Sequence, residues 1–301
     1  MTPGSNIRSS AISNTRAILQ KQIASALADL EGRAISDSSI HSARKKIKKA
    51  RATLRLMRDE LPDGAFRSEN LALRDAARPL NAIRDAKILI DALDGLVKTQ
   101  SVKATAIEAF RRALVRSRNR AQAAAMTAKT GIPQSRRMLR AAHAATRRWP
   151  AGNGGWPALR NGLKRTYSRG RRDFADARRK QSVERLHEWR KHVKYLWHQL
   201  QVLEPIRPGP VGKLAGRAHK LSDHLGDDHD LAVLREHVGA NKAAFGDAAT
   251  STALLTAVDR SREALQAKAL ALGSRLYADK AAQFASRFDR YFRAATQTRG
   301  S

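Results

Sequence analysis

The chain has 301 residues, 42% of them hydrophobic, which is the balance of a folded protein rather than a disordered one. Lysine and arginine number 58 against 27 acids, a formal charge of +31 that opposes compaction and calls for a polyanionic partner. There is no cysteine, so disulfide staples and thiolate metal sites are excluded.

The excess charge is not a tail. Residues 1–150 carry 30 basic and 12 acidic side chains, and residues 151–301 carry 28 and 15. The first twenty residues lack the apolar core of a signal peptide, and no run approaches a transmembrane span. These features predict a soluble, cytoplasmic protein without membrane association. Alanine, leucine, arginine, lysine and glutamine dominate and favour helix, which predicts an all-α fold.

In chain order, helices are predicted near 7–32, 37–61, 66–95, 101–128 and 133–147. A second set follows near 157–180, 183–204, 211–239, 250–272 and 277–296. Three loops punctuate the pattern: "LPDGAF" at 61–66, "RRWPAGNGGWP" at 147–157 and "EPIRPGPVG" at 204–212. The expected organisation is a first helical bundle over 1–148, a linker over 149–156 and a second bundle over 157–301.

The helix of 37–61 contains "HSARKKIKKARATLRLM". Ile40, Ala43, Ile47, Ala50, Leu54 and Met57 alternate steps of three and four, the seam of a bundle helix. Arg44, Lys48, Arg51, Arg55 and Arg58 form a parallel row one residue away, about 100° around the helix, with His41 at its head. No acid occurs between Asp37 and Asp59, although solvated faces normally mix signs. Such a row suits a ligand that is an extended chain of phosphates.

The pattern recurs. At a shift of 146, His41, Arg44, Lys45 and Lys48 fall on His187, Arg190, Lys191 and Lys194. The seam falls on Leu186, Trp189, Val193, Leu196, Leu200 and Leu203. At a shift of 145, "LNAIRDAKIL" (80–89) meets "LGDDHDLAVL" (225–234). Two related segments in the same order predict an internal duplication and two pseudo-symmetric four-helix bundles with extra helices. The second copy of the row is thinner, because Trp197 and Gln201 stand where Arg51 and Arg55 would. The stretch 163–180, with eight basic residues and two acids, is a candidate replacement. In the first half, Arg111, Arg112, Arg116 and Arg120 are candidates for a second wall.

The repeated His-x-x-Arg-Lys helix, the later Arg-Asp or His-Asp segment and the doubled helical plan resemble the CHAD family, the conserved histidine α-helical domain. The likeness covers nearly the whole chain. It implies a non-catalytic module that binds inorganic polyphosphate on a basic central surface and associates with polyphosphate granules. The 301 residues hold no triphosphate tunnel domain ahead of the repeats, and a stand-alone copy is the expectation. By the resemblance, His41, Arg44, Lys45, Lys48 and Arg51 match the first basic helix of the family, and His187, Arg190, Lys191 and Lys194 the second. With the stripe and the second wall, the predicted polyphosphate-binding set adds Arg55, Arg112 and Arg116.

His41 and His187 have two open roles, as phosphate ligands or as structural groups. His224, Asp227, Asp228, His229 and Asp230 form a metal-like cluster, but "GDDHD" after Gly226 also reads as a helix stop followed by an acid-rich helix start. That reading leaves no metal and no cofactor expected. Asp85 and Asp230 are expected to hold basic side chains inside the bundles. The chain lacks a Walker loop, a Gly-x-Ser-x-Gly elbow and His-Glu-x-x-His, and its basic row lacks the carboxylates that phosphoryl transfer needs. Binding to nucleic-acid backbones is the alternative, with a structural protein of storage granules as a third reading. Oligomeric state is not legible.

Overall fold

The computed structural model describes residues 3–32, 35–98, 104–127, 131–150, 155–241 and 248–297. They form α1 (Pro3–Ala28), α2 (Asp37–Leu56), α3 (Ala65–Ala77), α4 (Asn81–Lys98), α5 (Ala104–Thr127) and α6 (Ile132–Arg148), then α7 (Gly155–Arg179), α8 (Val183–Leu203), α9 (Pro208–Ala240), α10 (Ala248–Leu276) and α11 (Ala281–Gln297). No strand occurs among the described residues, so the fold is all-α.

Two helix readings are corrected. The helix predicted over 66–95 is broken: α3 ends at Ala77, a 3₁₀ turn covers Arg78–Leu80, and α4 begins at Asn81. Pro79 causes the break, because it has no amide hydrogen and crowds the preceding turn. Conversely, Gly226 does not stop a helix. It lies within the 33-residue α9, which runs unbroken through "GDDHD". A Cβ at Gly226 would come within 3.7 Å of the Arg190 guanidinium, so the missing side chain lets that arginine lie against α9.

The two basic helices start alike. Ser36 caps α2 by accepting a hydrogen bond from the Ser39 amide at 3.1 Å, and Asp37 follows in the first turn. Ser182 caps α8 through the Arg185 amide at 3.4 Å, with Glu184 in the first turn. Each cap satisfies an amide that the helix itself cannot, and each acid complements the positive helix end.

The predicted seams are the core. Ile40, Ala43, Ile47, Ala50, Leu54 and Met57 are all buried, as are Leu186, Trp189, Val193, Leu196, Leu200 and Leu203. Both belong to one apolar cluster that draws on residues from 12 to 292. A second cluster gathers Leu89, Leu93, Phe110, Leu234, Val238 and Leu254, from α4, α5, α9 and α10. Each cluster therefore takes side chains from both halves of the chain.

Two close approaches bring α2, α7 and α8 together. Gln199 Nε2 of α8 donates to the Ala52 carbonyl of α2 at 3.1 Å. Gly162 of α7 lies so near the end of α2 that a Cβ there would sit 2.1 Å from the Leu56 carbonyl oxygen. Only a glycine lets these backbones meet. Tyr167, Phe174, Trp189, Tyr277 and Phe284 then fill the space between α7, α8, α10 and α11 with stacked and tilted rings.

Candidate functional site: a basic cleft and an arginine niche

Where α2 meets α8, a cleft of about 230 Å³ opens. His41, Arg44, Lys45 and Lys48 of α2 form one side, and Lys194, Trp197 and His198 of α8 the other. His219 and Asp223 of α9 close it. Asp223 is the one carboxylate in this lining, and it lies 3.5 Å from His219. The row beside the seam thus meets its counterpart, with Lys48 and Lys194 sharing one cleft.

Arg44 lines this cleft but is only 7% exposed. Its Nη1 donates to the Ala77 carbonyl at 3.2 Å and to Asn81 Oδ1, tying α2 to the break between α3 and α4. A cation there also complements the negative end of α3. Arg190 is likewise buried, at 8%, against Gly226. The sequence places both arginines in an exposed row; the structure turns them inward, because they lie one residue from the seam and their long side chains reach across it.

The two histidines of the repeated pattern occupy different settings. His41 is exposed on the cleft rim. His187 is half-buried, its ring centroid 4.5 Å from that of His229. Burial, helped by Arg190, Lys191 and Lys48, holds its pKa below the ordinary histidine value. Lys191 is not part of the cleft lining and pairs with Glu188 at 2.5 Å. The side chain of Asp85 lies outside the described residues; Asp230 is half-buried on α9.

Farther along α2 the row continues into a second recess of about 100 Å³. Arg55 and Arg58 face Arg165 and Arg169 of α7 across it, with His192 of α8 beside them. Phe66, Gly162 and Thr166 complete the lining, and no carboxylate is part of it. Arg51, between the two recesses, donates through Nε to Asn70 Oδ1 at 3.2 Å.

The field of this surface is legible in its ionisations. Burial, with smaller contributions from Arg51, Arg169 and Arg58, lowers the Arg55 pKa to about 10, while Tyr195 opposes the shift. Lys49 is lowered by burial and by Lys45. His198 is lowered to about 3, first by burial and then by Lys194, Lys49 and Lys48, against the hydrogen bond its Nδ1 donates to Gln201 Oε1. Each group is driven toward its uncharged form, the direction that desolvation and crowded cations impose.

Arg112 and Arg116 do not join either recess. Both are exposed on α5, which packs on α4, and Arg112 pairs with Glu108 at 3.6 Å. The second wall comes from Arg165 and Arg169 instead, one helical turn apart on α7. Their signal was the basic stretch 163–180. His192 and His198 carried none, since each sits among apolar positions whose partners are remote in sequence. The Trp197 ring stacks on that of His219 with centroids 3.9 Å apart.

Among the described residues, no helix is long and apolar enough to cross a membrane, and no group of three or more histidines and carboxylates is placed to hold a metal ion.

No curated protein matches the chain. Among solved structures, PptA from Streptomyces chartreusis is similar, with a TM-score of 0.65 and 15% identity over 89% of this chain and 99% of that one. The CHAD domain from the plant Ricinus communis is similar with a TM-score of 0.54 and 17% identity, over 97% of this chain and 91% of that one. At such identities these likenesses concern the fold. The family model for the CHAD domain matches residues 17–239, and on that match the chain belongs to the CHAD domain family.

Proposed function

We propose that the chain binds inorganic polyphosphate in the cleft between α2 and α8 without catalysing a reaction on it. The observation that carries this reading is the convergence of Lys45, Lys48 and Lys194 in a cleft whose single carboxylate, Asp223, already faces His219. Lysine ammonium groups act there as point charges on successive phosphates, and release of condensed counterions supplies much of the affinity. The row from His41 to Arg55 spans about 20 Å at 1.5 Å per residue, which suits a linear ligand lying along α2. Through that ligand the protein would associate with polyphosphate granules.

Trp197 argues against the nucleic-acid alternative. It is the one tryptophan lining the cleft, yet it is 8% exposed and stacked on His219, so it offers no platform for a base.

The test is a calorimetric titration with long-chain polyphosphate at two salt concentrations, with duplex DNA of matched phosphate content as competitor. It is repeated with Lys48→Glu and Arg51→Glu combined. Salt-sensitive binding that DNA fails to displace and that the charge reversals abolish supports the proposal. Equal or tighter binding of DNA overturns it.

A further inference from the structure

The recess at the end of α2 is built differently from the cleft. The cleft presents three lysines, whereas the recess presents Arg55, Arg58, Arg165 and Arg169. Three of these arginines are held before any ligand arrives, and Arg169 is exposed beside them. Arg55 Nη1 donates to Asn70 Oδ1 at 2.7 Å, and its guanidinium lies 4.1 Å from the centroid of the Tyr195 ring. Arg58 lies 4.8 Å from the Phe66 centroid, and Arg165 bonds Asp59 at 2.8 Å. His192 is oriented by Asp173, which bonds its Nδ1 and leaves Nε2 as the ring's remaining polar atom. Donors ordered in advance lose less freedom on binding.

The two ends of a phosphate chain differ chemically from its middle. An internal unit exposes two non-bridging oxygens and one charge. A terminal group exposes three and carries most of a second charge at neutral pH, its second ionisation falling near pH ~6 as in a phosphomonoester. Arginine forks engage oxygens in pairs and suit the terminal group, while lysine point charges suit internal units. Size agrees. The recess of about 100 Å³ is less than half the volume of the cleft, about 230 Å³, and so suits an end group better than a passing strand. From Lys48 to Arg55 is about 10 Å along α2, so a chain ending in the recess continues directly toward the cleft.

We infer that the arginine niche formed by Arg55, Arg58, Arg165 and Arg169 is a chain-end site, taking the terminal phosphate of a polyphosphate or a short phosphoanion with the same group. The inference deepens the polyphosphate reading and rests on it for the longer ligand.

Calorimetry on the full chain tests it with two probes. One is triphosphate. The other is long-chain polyphosphate, with its ends free or with both ends capped as phosphoramidates. Arg169→Gln, which keeps a good helix former at an exposed position, is expected to weaken triphosphate about tenfold or more, the loss of one charge-assisted hydrogen-bonded contact. Arg169→Lys, keeping charge without the fork, is expected to lose part of that. Arg178→Gln, exposed farther along α7, should change binding less than twofold. Capping should weaken long chains for the unsubstituted protein, and Arg169→Gln should erase the difference. Unchanged thermal midpoints show that the variants fold.

Triphosphate binding indifferent to Arg169→Gln, or capped and free chains binding alike, would overturn the chain-end site. If long chains still bind in that case, the polyphosphate reading stands without it. If long chains fail to bind while triphosphate binds through Arg169, the cleft reading falls and the niche stands for short phosphates.

Discussion

Replacing Lys48 and Lys194 together with glutamine removes two charges from opposite walls of the cleft while keeping helix-forming side chains. Eight lysines and arginines line the cleft and the niche: Arg44, Lys45, Lys48 and Lys194, with Arg55, Arg58, Arg165 and Arg169. If each neutralises one phosphate, the plot of log K against log salt has a slope of about −5 to −6, at roughly −0.7 per contact for a single-stranded polyanion. The double variant should therefore flatten that slope by about 1.4. It should also lose about 3 kcal/mol of affinity at low salt, taking the lower end of ~1.5 kcal/mol for a hydrogen bond to a charged group, twice. Isothermal titration with long-chain polyphosphate at four salt concentrations measures both quantities. An internal control is built in, because Lys194 and Lys48 both depress His198. Its imidazole resonances should titrate higher in the variant, which shows that the charge has gone from the intended place. A salt slope equal to that of the unsubstituted protein, with the His198 shift present, would refute the assignment of these lysines to the ligand.

Gly162→Ala is expected to destabilise by about 1–3 kcal/mol or more, the range for overpacking, since its Cβ would meet the Leu56 carbonyl at 2.1 Å; chemical denaturation checks this, and an unchanged midpoint would mean that α7 and α2 separate freely. Arg44→Ala leaves the Ala77 carbonyl and Asn81 without that donor and should cost about 1–3 kcal/mol of stability. A variant as stable as the original would show that the buried guanidinium does not tie α2 to α3. The pH dependence has a definite sign. His198 is neutral when folded, with a pKa lowered to about 3 chiefly by burial, but binds a proton near pH ~6.5 when unfolded. Its contribution is fully present above the unfolded pKa and declines as pH falls from there toward the folded value, by about 1.4 kcal/mol per pH unit. Urea denaturation at pH 7 and 5.5 should show the decline, and His198→Gln should make it shallower. Equal declines in both proteins would contradict the burial of a neutral ring.

The sequence by itself determined the helical class, most helix limits and both core seams, because burial at steps of three and four is a local property written into each segment. The same periodicity located the basic row, since a residue one position from a buried one has a known angle on the helix. Tertiary structure decided which of the cations meet. Arg44 and Arg190 share the sequence character of Lys48, yet a neighbouring carbonyl and a glycine draw them inward. Arg112 and Arg116 are as basic as Arg165 and Arg169, but α5 packs on α4 while α7 closes on the end of α2 through Gly162. One proline likewise splits α3 from α4, whereas Gly226 passes inside α9 because its neighbours support the helix. A helix's own face follows from its sequence; the partner that its face meets depends on backbone approaches between residues as distant as Leu56 and Gly162, and those emerge only when the whole core packs.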